Sequence, residues 1–551
     1  MTARRRPGPP SDGRAADARV RFTFDGREYE GVDGEPLAVA LLAADRVILS
    51  RSFRFHRPRG LMCSTGACGW CECEVDGRPS VRSCQVPVRA GLVARGEHAF
   101  PSVERDLLSA VGAFARWIPP TFYHHRFLRP KRLRKRYLDV LRWFGGRGRL
   151  RSTGRDVPRG RPLVPLEPDV LVVGGGRAGL LAALGAAEAG AHVLVIEAEA
   201  AIGAAWGVGR GTDRRPGTVH ELAGAAAAAG VEIRTGVTAT GWYDGMVAAI
   251  GTDAHFEIRA RAVVAATGSY DRVPLVPGAD RPGVLPARTV CGLLDRHGVL
   301  PGERALLVGS GQELATAGEL LAKAGAAEVI GPVPTASLVA IRGRRRVTAA
   351  VTRGGGRTQR HRVDLVVFGD RSPNLDLILA AGAVVRPRYR TLVPVADSLG
   401  RTTVPSLYVV GSAAGWIQPA PGEADDPRMT GRAAASLDTA PRRAANREGH
   451  DLEAHTPANA ASGAIVCFCE DVRVWEVRAE LVAGYGDPEL VKRRTGALTG
   501  PCQGKSCLQA FACLAGSAPI PTARPPLRPV RLGDLVRSDP AAPDADPAAV
   551  P

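Results

Sequence analysis

A chain of 551 residues, 45% of them hydrophobic, has room for about three to four domains, each with an ordinary core. Its formal net charge of +18 is concentrated, since residues 116–161 hold 15 Lys/Arg against Asp139 and Asp156, and this excludes a uniformly basic surface. The basic N-terminus lacks an apolar h-region and no run of 18 apolar residues occurs, so neither a secretory signal nor a bilayer span is expected; a cytoplasmic, reducing location then makes the eleven cysteines metal ligands or redox thiols rather than disulfides.

In chain order, residues 18–30 alternate apolar and polar around Asp25-Gly26, a hairpin signal. A short helix over Leu37–Ala44 follows. Next comes the spacing C-x4-C-x2-C-x12-C at Cys63, Cys68, Cys71 and Cys84. A [2Fe–2S] centre needs four thiolates around two tetrahedral irons, three of them wrapped by one tight loop, and Gly66 and Gly69 fall where that loop must bend. The first gaps are those of plant-type ferredoxins; the short last gap resembles the iron–sulfur domains fused to molybdenum hydroxylases. A zinc ribbon or unligated thiols are the alternatives, but zinc ordinarily uses paired knuckles and Cys84 stands alone. Cys73 reads as a packed thiol. A second hairpin turns at Asp76-Gly77, and residues 1–100 are expected to form a ferredoxin-like [2Fe–2S] domain.

Residues 101–165 read as a basic connector, with Leu133, Tyr137, Leu141 and Phe144 on one helical stripe. Tyr123, His124, His125, Phe127, Tyr137 and Trp143 interleave with Arg and Lys, as in sites for single-stranded nucleic acid. A surface that docks an acidic partner is the preferred reading, and nucleic acid is not expected.

An α/β pattern spans residues 166–440. Strand Val170–Val173 runs into Gly174, Gly176 and Gly179 of a G-x-G-x-x-G turn, a helix to about Ala189, and strand Val193–Glu197. The first glycine permits the turn, the second lets a pyrophosphate approach, the third lets helix pack on strand, and Glu197 is placed for a ribose hydroxyl. Thr267 and Gly268 end a later strand, and Gly411 and Ser412 end another; both segments resemble the flavin-contacting strands of two-dinucleotide-domain flavoproteins. Such folds usually carry Asp where Ser412 stands. FAD is the expected ligand. A second unit over about 288–395 has Gly309 and Gly311 but Leu314 in place of the third glycine, and no acid after its next strand. It reads either as an NAD(P) site or as a retained fold that no longer binds one. Ala201 to Trp206 hold no Cys-x4-Cys, so thiol–disulfide reduction is not expected.

Residues 462–535 carry C-x-C at Cys467 and Cys469, then C-x4-C at Cys502 and Cys507, flanked by Gly500 and Gly504. The pattern resembles the bacterioferritin-associated-ferredoxin-like [2Fe–2S] domain, which typically ends C-x2-C. Zinc or an empty site are the alternatives. Lys505 either offsets thiolate charge or is solvated, and Cys513 reads as packing. Residues 536–551 are Pro/Ala/Asp-rich and are expected to be disordered.

The run from Arg51 to Gly60, the connector from Pro120 to Tyr123, the FAD segment, the stretch from Cys467 to Val472, the segment from Gly500 to Cys507 and that from Ala523 to Val530 together resemble the alpha subunit of heterotetrameric sarcosine oxidase. They also resemble its shorter relatives: hydrogen cyanide synthase, opine oxidase, and the proline and hydroxyproline dehydrogenases. Two departures stand out. The sarcosine oxidase subunit continues into a folate-binding domain, so folate chemistry is not expected here. It also lacks the N-terminal cluster cysteines, so this chain looks like a fusion with a ferredoxin-like subunit. The partner implied by the resemblance is a flavin-containing beta subunit, which oxidises the amine.

The expected fold is multidomain α/β and α+β: a β-grasp-like ferredoxin domain, a Rossmann-type flavoprotein core with two dinucleotide-binding units, and a small helical C-terminal domain. The expected function is that of an FAD and iron–sulfur oxidoreductase, an electron-transferring subunit in the oxidation of CH–NH groups of sarcosine, an opine or a proline-like acid. A self-sufficient NAD(P)H-dependent reductase is the alternative. No substrate-binding Arg or general base stands out.

Overall fold

The structure is a computed structural model of the chain. It describes residue 5 and residues 18–118, 120–121, 131–144, 160–203, 218–388, 391–415, 426–436, 463–515, 520–521 and 523–537.

Strands Arg19–Phe24 and Arg27–Val32 pair antiparallel. Their turn residues Asp25 and Gly26 take φ of 51° and 74°, the left-handed pair that a two-residue hairpin turn demands. Alternation puts Phe22 and Phe24 inside. Strands Val93–Gly96, Glu72–Val75 and Arg78–Arg82 complete a five-stranded sheet. Helix Leu37–Ala43 is buried along its whole length. One core joins this helix and sheet to Val290, Leu293, Leu314 and Leu321, on helices Ala287–His297 and Gln312–Lys323 of the second dinucleotide unit. The ferredoxin-like domain is therefore packed onto the flavoprotein core.

The first dinucleotide unit is a parallel sheet in the order Glu232–Thr235, Val193–Glu197, Val170–Val173, Ala262–Ala265, Leu407–Val409. Its central strands are apolar runs because both faces are covered. Helix Arg177–Glu188 crosses one face and packs closely on helix Pro427–Ser436. A side chain at Gly185 would strike the Arg428 carbonyl, and one at Gly431 the Ala182 carbonyl. The second unit is a parallel sheet in the order Val284–Pro286, Leu365–Phe368, Arg304–Val308, Glu328–Val333.

In the C-terminal region, strands Ile465–Cys467 and Val472–Arg473 precede helices Val474–Val482, Pro488–Thr495 and Leu508–Ala515. Asp487 caps the middle helix with Pro488 at its first position, and Gly496 ends it at φ 74°. The last part of the predicted third domain behaves differently. Ile520, Ala523 and Leu527 pack into the core of the first dinucleotide unit, Leu527 donates its N–H to the Thr240 carbonyl, and Asp534 pairs with Arg161 at 2.7 Å. The chain returns there because its apolar side chains find a deeper core than three short helices supply.

The connector helix forms over Lys131–Phe144. Tyr137 and Leu141 are half-buried while Leu133 is exposed. Tyr123, His124, His125 and Phe127, and the tail 538–551, lie outside the described residues. Among the described residues no helix is long and apolar enough to cross a membrane.

Candidate functional site

Cys63, Cys68, Cys71 and Cys84 are buried and free of disulfides. The structure brings them together in two hydrogen-bonded pairs, Cys63 with Cys68 and Cys71 with Cys84. The hydrogen bond from Cys68 holds the Cys63 thiol well below its ordinary range, while burial pushes Cys68 up. The loop turns its amides inward, with the Cys68 N–H on Cys63 Sγ at 3.4 Å and the Trp70 N–H on Cys68 Sγ at 3.5 Å. Gly66 and Gly69 both lie in the left-handed region, at φ 71° and 70°. Among the described residues no group of three or more His, Cys, Asp or Glu side chains converges on one metal ion. A two-iron centre divides its four ligands between two irons, and two sulfur pairs on an amide-lined loop fit that demand. Cys73 is buried in strand Glu72–Val75, as the packed-thiol reading has it.

Cys467, Cys469, Cys502 and Cys507 also come together. Cys502 shares hydrogen bonds with Cys469 and Cys507, which hold its thiol low, and Cys507 also lies against Cys467. A side chain at Gly500 would run into the Cys469 Cβ, so only glycine lets these two segments meet. Lys505 is not solvated: its side chain is 4% exposed and it pairs with Asp376 at 3.1 Å. Asp376 also accepts from the Tyr270 hydroxyl at 2.7 Å.

The two cysteine loops touch. Cys469 Sγ lies 3.9 Å from the Cys68 carbonyl oxygen, and the Trp70 and Phe468 rings are 4.9 Å apart. Arg82 bonds the Gly66 and Pro501 carbonyls, one from each loop. Behind this contact stands a buried ionic lattice. Arg54 pairs with Glu476 at 2.5 Å, with side chains 3% and 2% exposed. Asp280 accepts from Arg57 at 2.5 Å and from Arg59 at 2.8 Å, and Arg59 reaches Asp471 at 2.7 Å. Burial alone raises the Asp280 carboxyl, but the two guanidinium groups outweigh it and hold the acid well below the usual range. Three parts of the chain are thus joined where the cysteines lie. A small cleft beside them is lined by Cys63, Cys68, Tyr270, Asp271, Arg288 and Lys505.

Gly174, Gly176, Gly179, Thr267, Gly268, Gly411 and Ser412 gather at the carboxyl ends of adjacent parallel strands, where such sheets take dinucleotides. Gly174 sits at φ 117°, and a Cβ there would strike the Ala266 carbonyl; one at Gly179 would strike the Gly174 carbonyl. Gly176 caps the helix. Glu197 accepts from the Gly175 N–H at 2.8 Å and the Glu199 N–H at 2.9 Å, so its carboxylate is held over the glycine turn. Thr267 is fixed by the Asn374 carbonyl at 3.0 Å. This glycine cradle fits a flavin dinucleotide.

The second unit keeps the first glycine and differs after it. Gly309 has φ 100°, as Gly174 has 117°, but Gly311 has φ 111° where Gly176 is extended at −75°. Leu314 occupies the third-glycine position and packs on Gly369, so bulk has moved from strand end to helix. Asp370 follows, in the place Thr267 holds in the first unit. Its Oδ1 would lie 2.9 Å from a Cβ on Gly309. Asp370 is held by Thr335 at 3.0 Å and Arg272 at 3.2 Å, and Glu313 stands in the first turn of the helix, paired with Arg371 at 2.5 Å. Acids thus line the turn where a pyrophosphate would rest.

Sequence reasoning located the cysteines and glycines but passed over Trp70, Tyr270, Asp280, Asp370 and Asp471. The run holding Arg51, Arg54, Arg57 and Arg59 was the available signal, since that many arginines beside a buried loop require acids from elsewhere in the chain.

Comparisons with known proteins agree with this architecture. Residues 17–99 match the family of 2Fe-2S iron-sulfur cluster binding domains, residues 168–331 the pyridine nucleotide-disulphide oxidoreductases, and residues 461–537 the sarcosine oxidase A3 domain. The chain is 28% identical over 585 aligned positions to the sarcosine oxidase alpha subunit of Rhizobium meliloti (strain 1021), covering 94% of this chain and 57% of that protein. It is 41% identical over 83 residues to the opine oxidase A subunit of the same organism, 14% of this chain and 18% of that one. The chain therefore spans little more than half of the first relative and a small part of the second. The crystal structure of L-proline dehydrogenase from P. horikoshii shares the fold, with a TM-score of 0.69 at 22% identity, covering 96% of this chain and 100% of that one. The resemblance read from the motifs is the one these comparisons return: the chain is a redox protein of the flavin and iron–sulfur type, similar along nearly its whole length to the alpha subunit of sarcosine oxidase.

Proposed function

We propose that this chain is the electron-handling, alpha-type subunit of an enzyme that oxidises the CH–NH bond of a secondary amine or imino acid, working with a flavin-containing partner subunit. The similarity to the sarcosine oxidase and opine oxidase chains supports the reading. The observation that carries it is the junction itself: the two cysteine loops touch, and Cys63, Cys68, Tyr270 and Lys505 line one small cleft beside that contact.

In this reading Gly174, Gly176, Gly179, Glu197, Thr267, Gly268, Gly411 and Ser412 hold FAD. Cys63, Cys68, Cys71 and Cys84 hold one [2Fe–2S] cluster, and Cys467, Cys469, Cys502 and Cys507 hold a second. Flavin joins two-electron to one-electron chemistry, and each cluster carries one electron. The protein keeps water from the first cysteine loop by burying it against Val276, Phe368 and Ile465. Tyr270, Asp376 and Lys505 fix the second loop against the flavin-binding strand. A nicotinamide at Gly309 and Gly311 is disfavoured by Asp370 and Glu313, which speaks against a self-sufficient NAD(P)H reductase.

The test is flavin, iron and sulfide analysis of anaerobically purified protein, with and without NADH. One FAD with about four irons and four sulfides, unbleached by NADH, is the expected result. Rapid bleaching by NADH would replace this reading with that of a reductase. Copurification from the source cells should bring down a second flavoprotein.

A further inference from the structure

The amine chemistry needs a route for single electrons, and the two cysteine loops supply an unusual one: they are in contact. Cys68 belongs to the first site and Cys469 to the second, and the Cys469 Sγ reaches the Cys68 carbonyl oxygen at 3.9 Å. The Trp70 and Phe468 rings pack at 4.9 Å alongside, each one residue or two from these cysteines. Arg59 lies 5.3 Å over the Trp70 ring and bonds the Phe468 carbonyl at 3.1 Å, so one buried cation grips both loops. Arg82 does the same from the other side, bonding Gly66 and Pro501. Ser50 fixes the Trp70 carbonyl at 2.8 Å. The contact is over-determined, which marks it as built into the fold and not as incidental packing.

We infer that the two cysteine sites form one electronically coupled pair, joined through Cys68 and Cys469, so that reduction of one centre is felt by the other. This rests on the reading of both sites as clusters. Electron transfer between groups falls steeply with distance through protein, and here the path from Cys469 Sγ needs one through-space step, to the Cys68 carbonyl oxygen, after which it runs through the covalent bonds of Cys68 to its sulfur. The step balances simply: one electron leaves one centre, which is oxidised by one, and enters the other, which is reduced by one. No bond is made or broken, and no proton need move. The electron comes from reduced flavin in the working protein and from dithionite in the test.

The experiment is stepwise dithionite reduction of the purified full-length holoprotein, followed by low-temperature electron paramagnetic resonance and parallel iron analysis. With one centre reduced, a simple signal from a single spin is expected. With both reduced, the spectrum should split or broaden beyond the sum of two signals, and its power saturation should shift to faster relaxation. About four irons with two additive, independently saturating signals would overturn the coupling while leaving both clusters standing. About two irons would overturn the coupling and the second cluster together.

Discussion

The two dinucleotide units share a parallel sheet and a helix after a glycine turn, yet they have diverged at the turn. In the first, Gly179 faces Ala266, Thr267 follows, and Glu197 holds the loop from outside. In the second, Leu314 faces Gly369, Asp370 follows, and Pro334 stands one residue beyond the strand. The helix still packs on the strand in both, because lost volume on one side is recovered on the other. What changes is the charge presented to a phosphate. The first unit has one carboxylate at its turn, Glu197, bonded to the Gly175 N–H, and the second has two, Asp370 and Glu313, each paired with an arginine. The second unit and the segment leading into it have a different value: the segment supplies Asp280 to the ionic lattice and Val276 to the core around the first cysteine loop, and the unit adds Phe368 to that core. In the reading proposed above, the first unit holds the flavin while the second supports its neighbours.

The largest expected effect tests that support. Asp280→Asn removes the anion shared by half-buried Arg57 and buried Arg59, leaving Arg59 only Asp471, which should cost about 3 kcal/mol, read as a fall in denaturation midpoint. The pH dependence sharpens it. A carboxyl held below its ordinary range stabilises the fold fully above that range and loses the contribution as pH falls toward its depressed value. The acid limb of stability should therefore be shallower in the variant. An unchanged midpoint would mean the lattice does not hold the junction.

Next is Gly174→Val. The residue sits at φ 117° with the Ala266 carbonyl beside it. The variant should lose bound flavin, with affinity reduced by about 2–3 kcal/mol, measured as flavin absorbance per protein after gel filtration. Full retention would show that the first turn is not the flavin cradle. Smaller again is Asp370→Asn combined with Glu313→Gln. Removing both acids should strengthen NADH binding about tenfold, or 1.4 kcal/mol, in a fluorescence titration where the parent binds weakly. Tight binding by the parent would erase the contrast between the units.

The smallest effect belongs to Cys291, on the helix that joins the second unit to the ferredoxin-like core. Burial pushes its thiol up to about 12. It should stay protonated and unalkylated by iodoacetamide at mildly alkaline pH, and Cys291→Ala should change stability by only about 1 kcal/mol. Mass spectrometry of the native protein decides it; rapid labelling would mean the helix opens.

Local chemistry was legible in the chain. Cysteine spacing, the glycine turn after an apolar run, and Asp25-Gly26 and Asp76-Gly77 at the hairpins all specify nearby backbone, because metal loops, phosphate turns and tight turns are built from consecutive residues. The second unit's weakness was half visible: Leu314 and the missing acid showed it, but Asp370 lies 61 positions beyond Gly309, and only strand pairing brings them together. Lys505 was ambiguous for the same reason, since its partner Asp376 comes from another domain.

The sequence by itself determined which residues can carry sulfur ligation and dinucleotide binding, and in what order along the chain. Only the tertiary structure decided that the two cysteine loops touch, that Arg54, Arg57 and Arg59 meet Asp280, Asp471 and Glu476, and that the segment from Ile520 to Arg537 returns to the first dinucleotide unit. The reason is physical. A motif is set by bonds and turns within a few residues, whereas a buried charge must be paired wherever the fold brings an opposite one, and that partner lies hundreds of residues away in the chain.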